Sequence, residues 1–369
     1  MTTDPLFAPL QLGALALPQR IVMAPLTRNR AGRDGVPTPL MRDYYQQRAT
    51  AGLIITESTA ISPQGRGVPG GPGIHTPEQG AGWAAVTGAV HAAGGRIMLQ
   101  LWHAGSFSHS SLHSGRPPVA PSPVPFPRKV PGADFSMLEP EIPRALETAE
   151  IAAIVEDYRS AAERALRAGF DGVEIHAANG YLIDEFLHES SNQRTDAYGG
   201  SAAARSRFLL EVLGAVTSVW GADRVGVRFS PHNAQTGLCD SDPDALYRHV
   251  LGELDQLQLA YLHLVDPRSS LATVTDAIDA DAMFAAVAKY RSAYTGKVIT
   301  AGGYTHTTAV QAVKTGHADA VAFGRSFIAN PDLVQRLRSG AALNPYDRST
   351  FYTSGPSGYT DYPYLPPAR

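Results

Sequence analysis

The sequence predicts an α/β fold of the (β/α)8 TIM-barrel class, in which eight parallel strands are each followed by a helix. Short β-branched runs alternate with Ala- and Leu-rich amphipathic stretches, and eight such pairs can be assigned along the chain. In addition, polar and glycine-rich segments follow several of the predicted strands, which is where such barrels carry their functional residues.

The predicted strands are short apolar runs bounded by polar or turn-forming residues. In chain order they span residues 20–24, 53–57, 96–101, 173–176, 224–229, 261–265, 297–301 and 320–323. Each is followed by a predicted helix, and several of these helices begin with proline or an N-cap residue. The helices span residues 39–49, 77–92, 148–168, 202–220, 243–258, 281–293, 307–314 and 331–338.

Three further segments complete the predicted single domain, residues 1–369. Residues 10–17 alternate around a glycine and predict an N-terminal hairpin that closes the bottom of the barrel. The Pro- and Ser-rich segment 103–143 after the third strand is long for a connection, so we expect a capping excursion over the site. The tail, residues 344–369, is rich in tyrosine and is expected to pack back on the barrel.

The composition excludes several classes of protein. A net charge of −3 with scattered cations does not suggest a nucleic-acid partner. Neither a signal peptide nor a stretch of about 18 apolar residues is evident, so we expect a cytoplasmic protein without a membrane anchor. The single cysteine, Cys239, excludes a disulfide framework and an all-cysteine metal or iron–sulfur site, and we expect no metal.

The fourth predicted strand ends in a cluster of polar residues. His176 and Asn179 can both donate hydrogen bonds to one oxygen, and Tyr181 can supply a proton. Together they could polarise a carbonyl and protonate its α carbon. A single histidine at a strand end is more often a core residue, but the asparagine and tyrosine at these offsets favour the functional interpretation.

Glycine-rich turns follow the seventh and eighth strands. Gly302 and Gly303 follow the seventh, and Phe323, Gly324 and Arg325 follow the eighth. Glycine N–H groups can approach a phosphate closely and Arg325 adds a positive charge, so the pair of turns predicts a phosphorylated cofactor. The alternative is that these glycines begin helices and that Arg325 is a surface charge.

Other polar residues at strand ends could meet the polar edge of a flavin, which needs hydrogen bonds and a cation near N1 and O2. Gln100 lies at the end of the third strand, Arg228 at the end of the fifth, and Thr27 follows the first. The alternatives are that Gln100 caps a buried strand and that Arg228 pairs with a carboxylate inside the barrel.

With these residues the chain resembles the old yellow enzyme family, the flavin-dependent ene-reductases, over nearly its whole length. The motifs that carry the resemblance are Met23-Ala24-Pro25-Leu26-Thr27-Arg28, Leu99-Gln100-Leu101-Trp102-His103, His176-Ala177-Ala178-Asn179-Gly180-Tyr181-Leu182, Ser191-Asn192-Gln193-Arg194-Thr195-Asp196, Phe323-Gly324-Arg325 and Ile328-Ala329-Asn330-Pro331-Asp332-Leu333.

The resemblance implies non-covalent FMN, reduced by NADPH (or NADH) and reoxidised by an activated alkene in a ping-pong reaction. It places the isoalloxazine against Pro25, Leu26, Thr27 and Ala60, with Gln100, His176 and Arg228 at polar positions, and the phosphate at Gly302, Gly303, Phe323, Gly324 and Arg325. It assigns the substrate carbonyl to His176 and Asn179, proton donation to Tyr181, and further substrate contacts to Trp102 and Tyr352.

Some positions depart from relatives or leave alternatives open. Thr27 places the chain in the threonine-containing branch of the family, and Val68 stands where several relatives carry an aromatic residue.

Two other functions remain open: a sugar-phosphate isomerase or lyase barrel, and a flavin-binding protein without turnover. The enzyme could be a monomer or a homodimer, acting on small activated alkenes.

Overall fold

Eight parallel strands close into a barrel in the computed structural model, which describes residues 4–32, 34–231, 236–265 and 280–366. The first and last of the 369 residues, which the single-domain prediction includes, lie outside the described residues. The barrel strands are Ile21–Met23, Leu53–Ile55, Ile97–Trp102, Gly172–His176, Val225–Phe229, Tyr261–Val265, Val298–Ala301 and Ala320–Phe323. The eighth pairs with the first through Ala322 and Val22, so the sheet is closed. The predicted fold class is confirmed.

The N-terminal hairpin closes one end of this barrel. Leu10–Leu12 runs antiparallel to Leu15–Leu17, and their leucines pack with interior residues of the barrel such as Ile55 and Ile299. The turn between them needs glycine, because Gly13 has φ 56° and an added Cβ would lie 2.0 Å from the Asp223 carbonyl oxygen. The opposite end, to which the carboxyl ends of the strands point, is left for the functional residues.

The eight helices that follow the barrel strands differ in how they begin, and five of them begin at a side-chain cap within the described residues. They span Pro39–Gln47, Pro77–Ala92, Thr148–Arg167, Ala202–Trp220, Pro243–Leu257, Ala280–Arg291, His306–Lys314 and Leu333–Ser339. Thr38, Thr76, Ser201, Asp242 and Thr305 each accept a hydrogen bond from a backbone N–H of the first turn.

The boundaries differ from the sequence predictions where local geometry interrupts an apolar run. The second strand stops at Ile55 rather than at residue 57, and a short strand, Thr59–Ala60, then pairs with the end of the third. The helix before the sixth strand ends at Leu257 rather than at residue 258, because Gln258 has a left-handed φ of 53°. Two short helices, Leu182–Leu187 and Arg325–Ala329, were not predicted, because five or six residues carry little periodicity.

The excursion and the tail both lie against the loops at the mouth of the barrel. The excursion contains Val119–Ala120, which pairs with Arg144–Ala145, and a hairpin of Val130–Pro131 with Met137–Leu138. In the tail, Tyr359 is fully buried and stacks on Tyr44 with ring centroids 4.0 Å apart. Among the described residues, no helix is long and apolar enough to cross a membrane.

Candidate active site

A tight turn at the end of the fourth barrel strand carries three of the predicted site residues. His176 ends the strand, and Asn179 adopts a left-handed conformation with φ 63°. The Asn179 N–H donates to the Ser230 hydroxyl at 2.8 Å, which ties this turn to the end of the fifth strand. Tyr181 then precedes the helix Leu182–Leu187. The turn therefore brings all three side chains to the same end of the barrel.

The Tyr181 ring is held by edge-to-face contacts from three directions. Its centroid lies 4.9 Å from that of His176, 5.1 Å from that of Trp102 and 5.4 Å from that of Phe107. Phe107 belongs to the excursion and itself contacts Phe126 at 5.0 Å. Such aromatic pairs fix ring orientation in addition to burying area, so the excursion helps to set the position of the Tyr181 phenol.

The electrostatic environment keeps His176 and Tyr181 uncharged. Burial, with the nearby Arg228 and His263, holds the pKa of His176 well below its ordinary value, so its imidazole is neutral at physiological pH. Burial raises the pKa of Tyr181 to about 12, and the phenol of Tyr352 adds to the increase. Tyr352, which is 40% exposed, therefore lies near the Tyr181 phenol.

Gln100 and Arg228 are buried on the third and fifth strands, inside the strands rather than at their last residues. The Gln100 amide donates to Glu174 at 2.7 Å and accepts from the Ser58 hydroxyl at 2.9 Å, so it is part of a network rather than a simple strand cap. Arg228 is 8% exposed, yet no carboxylate of the described residues lies within ion-pair distance of it. The alternative prediction, that Arg228 forms a direct ion pair with a carboxylate inside the barrel, is therefore not met among the described residues.

Several buried side-chain nitrogens at this end of the barrel have no partner within the residues the structure describes. They are Arg228 Nε, His176 Nδ1 and Trp102 Nε1. A buried unsatisfied polar group costs about 1–3 kcal/mol, so native proteins seldom leave several together. A bound group with acceptor oxygens and nitrogens would satisfy them, and the donor set therefore fits the pyrimidine edge of a flavin and a substrate carbonyl.

The loop after the first strand meets the turn after the eighth. Pro25 is buried, and Leu26 and Thr27 are partly exposed. A Cβ added at Gly324 would lie 3.2 Å from Leu26 Cδ2, so glycine allows these two segments to approach each other closely. Ala60, on the short additional strand, is buried and pairs with Trp102. These residues surround the same mouth as the Tyr181 turn.

The two predicted phosphate turns are neighbours because their strands pair through Ala301 and Ala322. Gly302 and Gly303 have φ values of 145° and 85°, which other residues rarely adopt. Phe323 is buried at the end of the eighth strand, and Arg325 is partly exposed and donates to the Tyr346 hydroxyl at 3.2 Å. A partly exposed guanidinium beside two glycine turns fits a phosphate dianion.

Sequence reasoning missed several residues of this site. Phe107 and Phe126 lie in the excursion, where no periodicity marks them. Ser230 follows the fifth strand and accepts a hydrogen bond from the Asn179 backbone, far away in the sequence. Glu174 and His263 could have been identified from the sequence, because each is an ionisable residue at an inward-facing position of a mainly apolar strand. Within the described parts of the chain, no group of three or more potential metal ligands occurs.

The chain is similar to known proteins over nearly its whole length. Residues 5–344 match the model of the NADH:flavin oxidoreductase / NADH oxidase family. The chain is 46% identical to 12-oxophytodienoate reductase 7 of Oryza sativa subsp. japonica, over 98% of this chain and 95% of the relative.

Two solved structures show the same architecture. The structure of morphinone reductase in complex with tetrahydroNAD has a TM-score of 0.91 at 49% identity, covering 98% of each chain. That of the old yellow enzyme homologue from Zymomonas mobilis has a TM-score of 0.92 at 43% identity, covering 98% of this chain and 99% of the other.

Proposed function

Since the chain belongs to the NADH:flavin oxidoreductase / NADH oxidase family, the old yellow enzymes, we propose that the pocket around His176, Asn179 and Tyr181 reduces α,β-unsaturated carbonyl compounds. The protein is an FMN-dependent NAD(P)H oxidoreductase that acts on activated alkenes. The relatives' names, 12-oxophytodienoate reductase and morphinone reductase, support an oxo-bearing alkene as substrate. Nitroalkenes are a related class that the same donors would bind.

We propose FMN, bound without a covalent link, as the cofactor. When bound, FMN would supply hydride transfer from NADPH or NADH to the β carbon of the alkene. Gln100 and Arg228 would hold its pyrimidine edge, since both are buried donors and Arg228 Nε has no partner among the described residues. Pro25, Leu26, Thr27 and Ala60 would line the ring, and the turns at Gly302, Gly303, Phe323, Gly324 and Arg325 would hold the phosphate.

His176 and Asn179 bind the substrate carbonyl in this proposal. The neutral imidazole of His176 has one N–H to donate, and its buried Nδ1 lacks a partner in the described structure. The tie from the Asn179 backbone to Ser230 holds the second donor in place. Two fixed donors stabilise the negative charge that develops on the carbonyl oxygen more than they stabilise the neutral substrate, which lowers the barrier.

Tyr181 donates the proton to the α carbon. Its phenol is a weak acid with a pKa raised to about 12 by burial, so it remains protonated at the pH of the cell. The contacts with Trp102 and His176 fix the ring from which the proton leaves. Trp102 and Tyr352 form further walls of the substrate pocket, and the partly buried Val68 lies on the loop that packs against Trp102 through Gly67.

The observation that carries this proposal is the set of buried side-chain nitrogens, Arg228 Nε, His176 Nδ1 and Trp102 Nε1, at the mouth that also carries Tyr181. Among the described residues, none of these nitrogens has a hydrogen-bond partner. Few other ligands would use a buried cation, an imidazole and a phenol together. An isomerase or lyase acting on sugar phosphates would need the phosphate turns but not a buried Arg228 whose Nε has no partner among the described residues.

The visible absorption spectrum of the purified protein tests the proposal. We expect a flavin band that bleaches with anaerobic NADPH and returns when 2-cyclohexenone is added. A colourless protein that FMN cannot reconstitute would contradict the cofactor assignment. Bleaching without recovery by any enone would retain the cofactor and reject the substrate class.

Replacing Arg228 with methionine is expected to weaken FMN binding by about 10- to 100-fold. Hydrogen bonds to a charged group contribute about 1.5–3 kcal/mol, and each 1.4 kcal/mol is a factor of ten in affinity. Fluorescence titration of the apoprotein with FMN measures the effect. Arg207→Met, at an exposed helix position, is the matched control and should bind FMN like the wild type. Equal affinities for all three proteins would remove Arg228 from the cofactor site.

A further inference from the structure

The interior of the barrel contains a charged network that the proposed reaction does not use. Glu174 lies two residues before His176 on the fourth strand and is completely buried. Its Oε1 accepts a hydrogen bond from Gln100 Nε2 at 2.7 Å, and its Oε2 lies 2.8 Å from His263 Nδ1. Burying a carboxylate is costly unless such partners compensate it. The burial of Glu174 therefore depends on Gln100 and His263.

The network orients the Gln100 amide. Glu174 only accepts hydrogen bonds when ionised, so the Gln100 NH2 group must point towards it, and the Gln100 carbonyl must point towards the Ser58 hydroxyl at 2.9 Å. One N–H of the amide is engaged by Glu174 and the second is left to donate elsewhere. Without the carboxylate, the amide could rotate and present its oxygen instead.

The same carboxylate acts on Arg228 without touching it. Burial opposes ionisation, but His263 and Arg228 together hold the pKa of Glu174 below its ordinary value, so Glu174 is negatively charged. The Glu174 charge in turn counters the effect of burial on Arg228, whose pKa is lowered. Besides Arg228, the ionisable groups beside Glu174 are Tyr261 on the sixth strand, whose pKa burial raises well above its ordinary value, and His263, whose pKa burial lowers. Neither carries a charge that would neutralise it.

We propose that Glu174 is a positioning residue that fixes Gln100 and sets the reduction potential of the bound flavin through its negative charge. This inference rests on the proposed assignment of Gln100 and Arg228 to the pyrimidine edge. Reduction brings negative charge to that edge, and a fixed carboxylate in a low-dielectric interior opposes it. Glu174 therefore lowers the affinity for reduced FMN relative to oxidised FMN, and keeps the bound cofactor a stronger reductant.

The test is the midpoint potential of the holoenzyme and the affinity of its apoprotein for oxidised FMN. Glu174→Gln keeps the side-chain volume and an oxygen that accepts from Gln100, but removes the charge. We expect the ratio of the affinity for reduced FMN to the affinity for oxidised FMN to rise at least tenfold. This rise corresponds to an increase of about 30 mV in the two-electron midpoint potential. Oxidised FMN should still bind. An unchanged or lower potential would overturn the proposal.

Two further variants separate charge from packing. Glu185→Gln is the matched control, because Glu185 is equally buried but its pKa is raised by burial to about 8 and its carboxyl bonds to Ser106 instead. It should leave the potential unchanged. Glu174→Asp keeps the negative charge, but its shorter side chain moves the carboxylate away from Gln100. Oxidised FMN should therefore bind at least tenfold more weakly, while the midpoint potential stays near the wild-type value.

The aspartate variant also decides the matter if Glu174→Gln does not fold. Two results for Glu174→Asp would contradict the inference. One is a midpoint potential raised as much as is expected for Glu174→Gln, and the other is an unchanged affinity for oxidised FMN. Failure of the proposed function is recognised separately, because it appears in the wild-type protein as a lack of FMN or of enone turnover. A wild-type protein that passes both tests, with a potential insensitive to Glu174, rejects only the role of Glu174.

Discussion

Replacing Tyr181 with phenylalanine is expected to slow the reoxidation of the reduced enzyme by 2-cyclohexenone by about 10²- to 10⁴-fold, the usual contribution of a positioned general acid. The rate of reduction by NADPH should stay within a few-fold of the wild-type rate, because no proton from Tyr181 is needed there. The substitution removes the hydroxyl but keeps the ring that packs between His176, Trp102 and Phe107. Anaerobic stopped-flow measurement of the two half-reactions separates the effects.

Tyr352→Phe is the matched control, since its phenol lies close enough to influence the pKa of Tyr181. It should slow reoxidation much less than Tyr181→Phe does. The opposite ranking would make Tyr352 the proton donor, and an equal fall in both half-reactions of Tyr181→Phe would reject proton donation altogether. A quinone or another strongly polarised acceptor can take its proton from water, so Tyr181→Phe should affect it less.

The pKa of Tyr181 also predicts in which direction the reoxidation rate changes with pH. The protonated phenol is the donor, and this form is lost only as the pH rises through about 12, to which burial raises the pKa. The wild-type reoxidation rate is therefore expected to show no decrease attributable to Tyr181 between neutral pH and about pH 10.

Replacing His176 with alanine is expected to lower the rate of enone reoxidation by about 10²- to 10³-fold, which is the cost of removing one oxyanion donor. The imidazole is neutral and buried, and its Nδ1 has no partner within the described chain, so its donor capacity is available to a ligand. The loss should appear in the limiting rate as well as in the apparent affinity, because the donors act most strongly on the developing charge.

Two variants control this result, with each rate normalised to bound FMN. Asn179→Ala should lose a similar amount, since both residues address the same oxygen, and His176→Asn should recover part of the activity because an amide also donates. If His176→Ala retained FMN and lost less than about threefold, His176 would be a core residue at a strand end, which is the ordinary role of such a histidine.

Much of the site was accessible from the sequence because its residues follow strand ends. A parallel barrel places the carboxyl ends of all its strands at one mouth, so His176 and the glycine turns after the seventh and eighth strands had to come together once the strands were assigned. The offsets of Asn179 and Tyr181 from His176 are local, and a single tight turn fixes them. The family resemblance rested on the same local motifs.

What the sequence by itself determined was therefore the barrel, its strand order and the identity of the residues at its mouth, since these depend on periodicity and on turns within a few positions. The tertiary structure decided which of those residues have partners. Gln100 meets Glu174 across 74 positions, Glu174 meets His263 across 89, and Arg28 reaches the Gly358 carbonyl in the tail across 330. Such contacts depend on strand register and on the closure of the barrel, which bring side chains together only after folding. That is why the sequence could suggest Arg228 as a cofactor ligand, while only the folded chain left its Nε buried without a partner in the described structure.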